Sequence, residues 1–152
     1  MTTSTPLETV ILVGIPGAGK STFARAQFPS HDYISKDAFP TGASNKQARQ
    51  DAALRAALAD GRSAVVDNTN VTPAERAAII AIAREFGARV IGYFLPIATR
   101  DAVARNERRE GRAKVPKVAI FTSAKRLVPP SLAEGFDELH TVGDRGTGSG
   151  DR

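Results

Sequence analysis

The chain has no cysteine, which excludes disulfide bridges and thiolate metal sites. Its two histidines, His31 and His140, show no metal-ligand spacing, and each reads as structural or exposed. No apolar run is long enough to cross a bilayer. Residues 1–6 carry neither a basic cluster nor a long apolar stretch, so no signal peptide is expected there. What is present is ordinary for one soluble domain with a single core: 152 residues, 41% hydrophobic and 24% charged. The formal net charge is +5, and it is unevenly spread. Residues 100–126 hold nine basic side chains against three acidic ones. Such a stretch suits a polyanionic partner, either nucleotide phosphates or nucleic acid, or else a solvated helix face.

The most specific local signal is Gly14-Ile15-Pro16-Gly17-Ala18-Gly19-Lys20-Ser21, followed by Thr22. It fills every fixed position of the G-x-x-x-x-G-K-[ST] phosphate-binding loop. Glycines let the backbone curl so that successive N–H groups point inward at phosphate oxygens. Lys20 adds a charge that can reach the β and γ phosphates, and the Ser21 hydroxyl suits Mg²⁺. A helix starting near Lys20 brings its positive dipole end to the same anion. Residues 7–13 before the loop read as a buried strand and residues 22–27 after it as helix. Strand, loop and helix are the arrangement that confirms the motif. ATP is the ligand expected, and the cytoplasm the default compartment.

Strand and helix signals alternate beyond that point. Strands are predicted at 32–35, 63–66, 89–95 and 138–142. Helices are predicted at 44–60, ended by Gly61; from Thr72 to Gly87; at 99–109, before Gly111; and at 117–127, after Pro116. Thr72, Pro73 and Glu75 combine an N-cap, a first-turn proline and a capping-box glutamate. Ile79, Ile82, Ala83 and Phe86 form one buried stripe behind them. Residues 1–6 and 143–152 are expected to be disordered around a domain spanning 7–142. Repeated strand–helix units predict a parallel sheet covered on both faces, with ligand beyond the carboxyl ends of the strands.

That rule selects two carboxylates. Asp37 follows the second strand and Asp67 ends the third. In-line transfer of a phosphoryl group to a hydroxyl needs one carboxylate to accept the proton and another to hold Mg²⁺. Asp37 suits the first task and Asp67 the second, directly or through water, although the residue pattern leaves the two roles exchangeable. Arg105 and Arg109, four apart on a predicted helix, are expected to share a face and to contact phosphate. Arg112 and Lys114 extend a small basic lid over about residues 105–117.

Taken together these residues resemble the P-loop kinase family that includes polynucleotide 5′-hydroxyl kinases, especially the kinase domain of the polynucleotide kinase-phosphatases. The likeness rests on Gly14 to Phe23, on Ser35-Lys36-Asp37, and on Val66-Asp67-Asn68-Thr69-Asn70. It extends to Arg105-Asn106, Arg109 and Val115-Pro116, and to Ser131 to Phe136. The resemblance implies a three-layer fold with a five-stranded parallel sheet of order 2-3-1-4-5. It implies Asp37 as general base, Lys20 and Arg109 as catalytic cations, ATP and Mg²⁺ as cofactors, and a 5′-OH nucleic acid as acceptor. Two positions depart from the family pattern: Lys36 stands where an arginine is usual, and Pro40 where some members carry one. No Asp-x-Asp-x-Thr phosphatase motif occurs. The alternatives are a kinase of a small metabolite, nucleoside or antibiotic hydroxyl, and a nucleotide-binding switch that transfers nothing. A nucleic-acid-binding protein with a vestigial loop fits poorly with intact Lys20 and Ser21.

Overall fold

The structure, a computed structural model, describes residues 6–40, 42–111 and 114–143. The termini expected to be disordered (residues 1–5 and 144–152) and Arg112 of the expected lid lie outside the described residues. Five strands, β1 (Glu8–Val13), β2 (Asp32–Ile34), β3 (Ala64–Asp67), β4 (Arg89–Phe94) and β5 (Glu138–Thr141), alternate with helices. The helices are α1 (Lys20–Gln27), α2 (Lys46–Ala59), α3 (Pro73–Glu85), α4 (Thr99–Glu107) and α5 (Lys117–Arg126). Short 3₁₀ turns occupy Lys36–Ala38 and Leu132–Glu134.

The sheet order is β2-β3-β1-β4-β5 and every pairing is parallel, as the resemblance implies. Parallel neighbours need crossovers, and the apolar faces of the helices provide them. β1 is central and its last five residues are buried on both faces, the pattern of a strand covered from above and below. Val10 and Leu12 pack with Val65 and Ala24 of α1. Ile11 and Val13 pack on the other face with Leu54 of α2 and Ile79, Ile82 and Ala83 of α3. The expected stripe on α3 is therefore the core face, and the Thr72–Glu75 capping box forms as read. A third cluster, Ile15, Val71, Ala102 and Ile120, lies under α4 and α5 and seats them against the loop after β1. Among the described residues no helix is long and apolar enough to cross a membrane.

One stabilising feature was not legible in the sequence. Arg76 of α3 is 0% exposed. Its Nε and Nη2 donate to the two Glu134 carboxylate oxygens at 2.7 and 2.8 Å, and Nη1 donates to the Asn70 carbonyl at 2.9 Å. Asn70 is itself left-handed, with φ 46°, and its side-chain amide donates to the Leu12 carbonyl at 2.8 Å. A bidentate ion pair thus fastens the loop after β3 to the core, and that loop carries part of the candidate site. Hydrogen bonding from Arg76 holds the Glu134 carboxyl below its ordinary value of 4.5. Its contribution is accordingly full above about pH 4.5 and lost as pH falls further.

Glu134→Ala strands a buried guanidinium and is expected to lower the unfolding free energy by roughly 3–5 kcal/mol in urea titrations at neutral pH. A loss under about 1 kcal/mol, the value of an exposed pair, would contradict this placement.

Candidate active site

The loop between β1 and α1 curls because glycine stands where the backbone is left-handed. Gly17 has φ +95°, and a Cβ there would lie 2.9 Å from the Ala102 carbonyl oxygen. Gly19 has φ 93° and precedes the first turn of α1. The Gly14 N–H donates to the Thr69 carbonyl at 3.0 Å, so this loop and the loop after β3 meet. Between them opens a cleft of about 630 Å³. Pro16, Gly17, Gly19, Lys20, Ser21 and Thr22 line one side, and Asp37, Asp67 and Arg109 line it too. Gly14, Ile15 and Ala18 form the body of the loop behind this surface, where Ile15 and Ala18 are buried.

Lys20 is nearly buried, at 9% exposure, and its ammonium donates to the Ile15 carbonyl at 3.2 Å. Burial lowers its pKa to about 8; Asp67 and Asp37 act to raise it, and Arg109 adds to the lowering. All three expected partners are therefore close enough for Lys20 to sense their charge. Asp37 sits on the 3₁₀ turn after β2, where its N–H donates to the Ser35 hydroxyl at 3.2 Å. The Lys36 N–H donates to the Asn68 side-chain oxygen at 2.9 Å, and Asn68 in turn donates to buried Gln50 of α2. The turn bearing Asp37 is thereby tied to the loop after β3.

Asp67 is 5% exposed. Ser21 Oγ donates to Asp67 Oδ2 at 2.8 Å, and the Tyr33 hydroxyl donates to the same oxygen. Burial, reinforced by this bond to Asp67, holds the Tyr33 phenol above its ordinary value. A hydroxyl and a carboxylate in contact beside the phosphate loop are hard oxygen donors of the kind Mg²⁺ takes. Among the described residues no group of three or more His, Cys, Asp or Glu could form an all-protein cation cage. Mg²⁺ does not need one, since it is held by one or two carboxylates with substrate phosphates. The residues present fit that ion.

The two arginines differ from the expectation of a shared helix face. α4 ends at Glu107, so Arg109 lies beyond it. The cause is Asn106, 2% exposed. Its side-chain amide donates to the Val115 carbonyl at 2.7 Å and its oxygen accepts from the Val115 N–H at 2.9 Å. This clasp ties the end of α4 to Val115, and the chain leaves the helix after Glu107. Arg105 stays on α4 and donates to the Gly17 carbonyl at 3.2 Å, bracing the phosphate loop, whereas Arg109 reaches the cleft. The cleft is lined as well by Gln47, Gln50, Asn68, Glu75, Ala119 and Ser123; of these the sequence marked only Asn68, within the motif after β3, and Glu75, as a helix cap.

Comparisons with known proteins agree with this architecture. The AAA domain family matches residues 10–130. A bifunctional polynucleotide phosphatase/kinase of Schizosaccharomyces pombe is 32% identical over 140 residues, covering 89% of this chain and 33% of that protein. The chain thus spans about a third of the length of that relative. Kti12 of Chaetomium thermophilum, solved with ADP-AlF3, superposes with a TM-score of 0.73 at 18% identity, covering 88% of each chain. A fungal RNA kinase superposes with a TM-score of 0.69 at 16% identity, covering 91% of this chain and 38% of that one. A sugar kinase and a gluconokinase share the fold as well.

The Lys20 value of about 8 has a measurable consequence. A triphosphate seated against the ammonium raises its pKa, so binding is favoured below about pH 8 and weakens as pH rises above it. Calorimetry of ATP binding in buffers of different ionisation enthalpy is expected to show uptake of about one proton near pH 9 and almost none near pH 7. Equal uptake at both would contradict the placement of the phosphates on Lys20.

Proposed function

Since the chain belongs to the AAA domain family of P-loop kinases, we propose that it transfers the γ-phosphoryl group of ATP to a hydroxyl, foremost the 5′-OH of a polynucleotide. The observation that carries this reading is the meeting of Lys20, Asp37, Asp67 and Arg109 around one cleft. The backbone N–H groups of Gly17, Gly19, Lys20, Ser21 and Thr22, which line the cleft, would bind the β and γ phosphates. Ser21 and Asp67 would hold Mg²⁺, directly or through water, and the ion supplies charge neutralisation at the phosphate oxygens. Lys20 would oppose the charge on the β and γ phosphates, and Arg109 that on the group in flight. Asp37 takes the proton from the acceptor hydroxyl as the new oxygen–phosphorus bond forms. The bond from the γ-phosphorus to the bridging oxygen breaks, and ADP leaves. Positioning and charge stabilisation carry the rate. The segment 105–117 would act as the lid, and the cytoplasm is the compartment proposed for such an ATP-dependent enzyme.

The polynucleotide acceptor is supported by the name of the Schizosaccharomyces pombe relative and by the basic run from Arg100 to Arg126. A second reading, a hydroxyl on a small neutral molecule, is favoured by the uncharged hydrogen-bonding groups that also line the cleft, Gln47, Gln50, Asn68 and Ser123.

γ-labelled ATP supplied with 5′-OH DNA and RNA oligonucleotides, beside a panel of nucleosides and sugars, separates the two. Label is expected on the oligonucleotides, with acceptor binding that weakens steeply as salt rises. Label on a small molecule alone would establish the second reading. Asp37→Asn is expected to lower kcat by roughly 10²–10⁴-fold while ATP binding persists. Arg109→Ala is expected to cost on the order of 10³-fold. Undiminished turnover in either variant would refute that residue's role, whereas ATP binding with at most slow hydrolysis, no label on any acceptor and no effect of Asp37→Asn would favour a nucleotide switch.

A further inference from the structure

Tyr33 is a residue of the site region with no part in the chemistry above. Its neighbour Ile34 is buried against α2 and α3, so strand alternation turns Tyr33 to the opposite face, toward α1 and the Ser21 and Arg25 side chains. The phenol donates to Asp67 Oδ2, the oxygen that also accepts from Ser21, and lies 3.3 Å from Ser21 Oγ. The Arg25 guanidinium carbon stands 5.7 Å from the ring centroid and steadies the ring. Both hydrogen bonds accepted by that carboxylate oxygen thus come from the chain's own hydroxyls. They satisfy a buried charge that would otherwise be costly.

We propose that Tyr33 is a positioning residue that latches the candidate magnesium site in the nucleotide-free chain. In the latched state the phenol closes a triangle with the hydrogen-bonded Ser21 Oγ and Asp67 Oδ2 and occupies a lone pair of the carboxylate oxygen that would face a cation. Mg²⁺ keeps several waters and demands near-octahedral room, so Tyr33 must release Asp67 before these two oxygens can turn to it. Release is sterically easy. β2 is an edge strand of three residues, and Tyr33 is 41% exposed, so the ring can swing outward without disturbing the core. The latch rests on the reading that Ser21 and Asp67 are the magnesium ligands. It adds that the chain sets a threshold for magnesium through a residue that never touches substrate.

The chain has two tyrosines and no tryptophan, so Tyr93→Phe leaves Tyr33 as the sole emitter. Tyr93 packs among Phe23, Phe28 and His140, outside the cleft. A phenol hydrogen-bonded to a carboxylate fluoresces weakly. The Tyr93→Phe chain is therefore expected to be dim alone, and to brighten when magnesium and a non-hydrolysable ATP analogue are added together. It should then match the emission of the Tyr93→Phe/Asp67→Asn chain without ligand. In calorimetric magnesium titrations at fixed analogue concentration, Tyr33→Phe is expected to lower the half-saturating magnesium concentration by roughly five-fold, the worth of one charge-assisted bond at a partly exposed site. Emission that does not respond to ligand, or a Tyr33→Phe chain with unchanged or weaker magnesium affinity, would overturn the latch. An Asp67→Asn chain that binds magnesium and analogue as well as the parent would instead overturn the metal assignment, and the latch with it.

Discussion

A buried ammonium is the constraint around which this molecule is organised. Lys20 is withdrawn from water, and withdrawal works against its charge. Its pKa near 8 records that conflict. Asp67 and Asp37 act to keep the ammonium charged, while burial and Arg109 oppose them. In the proposed function these carboxylates sustain Lys20 until a phosphate binds, and the same carboxylates would serve metal and proton. A buried ion pair of ordinary design would be satisfied and inert. Here the last partner is left to come from outside.

The sheet order makes that arrangement possible. β1 lies between β3 and β4, so the chain leaves β1 in one direction and returns on its other side, which opens a crevice at the carboxyl end. Two loops then have to stay in register across it. The Gly14 to Thr69 and Asn70 to Leu12 hydrogen bonds supply direct ties. Arg76 anchors the second loop to Glu134 from behind. The turn bearing Asp37 is tied in through Asn68 and Gln50. Lys20 at the start of α1, Asp37 on its 3₁₀ turn and Asp67 at the end of β3 thus adjoin segments braced by these polar bonds, the kind of fixed placement that phosphoryl transfer would require.

Much of this was legible in the amino-acid sequence because it is local. The glycine positions of the phosphate loop, the capping box at Thr72, the apolar run of β1 and the placement of aspartates at strand ends all follow from short-range chemistry. The strand and helix segments follow from the alternation of their signals, and the sheet order from family resemblance. What stayed hidden depends on long-range partners. Arg76 looks like any solvent-facing helix arginine until Glu134, 58 residues away, closes on it. Arg109 was placed on a helix because its sequence is helix-compatible; only the clasp between Asn106 and Val115 reveals that the chain has already turned. Tyr33 read as a strand residue, and nothing in its neighbours announced a hydroxyl aimed at Asp67. The remaining cleft lining comes from α2, α3, α5 and the loop after β3, and no single segment carries its signature.

The central claim is that nucleotide and acceptor hydroxyl meet in one cleft, with the Asp37 carboxylate aligned on the incoming oxygen. The most direct measurement is a crystal structure of the chain with magnesium, ADP, a planar fluoride mimic of the phosphoryl group and a 5′-OH oligonucleotide. The expected result is an Asp37 carboxylate oxygen at about 2.6–3.2 Å from the acceptor oxygen, with that oxygen in line with the mimic and the bridging oxygen of ADP. An acceptor bound elsewhere, or an Asp37 side chain turned out of the cleft while both ligands are seated, would contradict it.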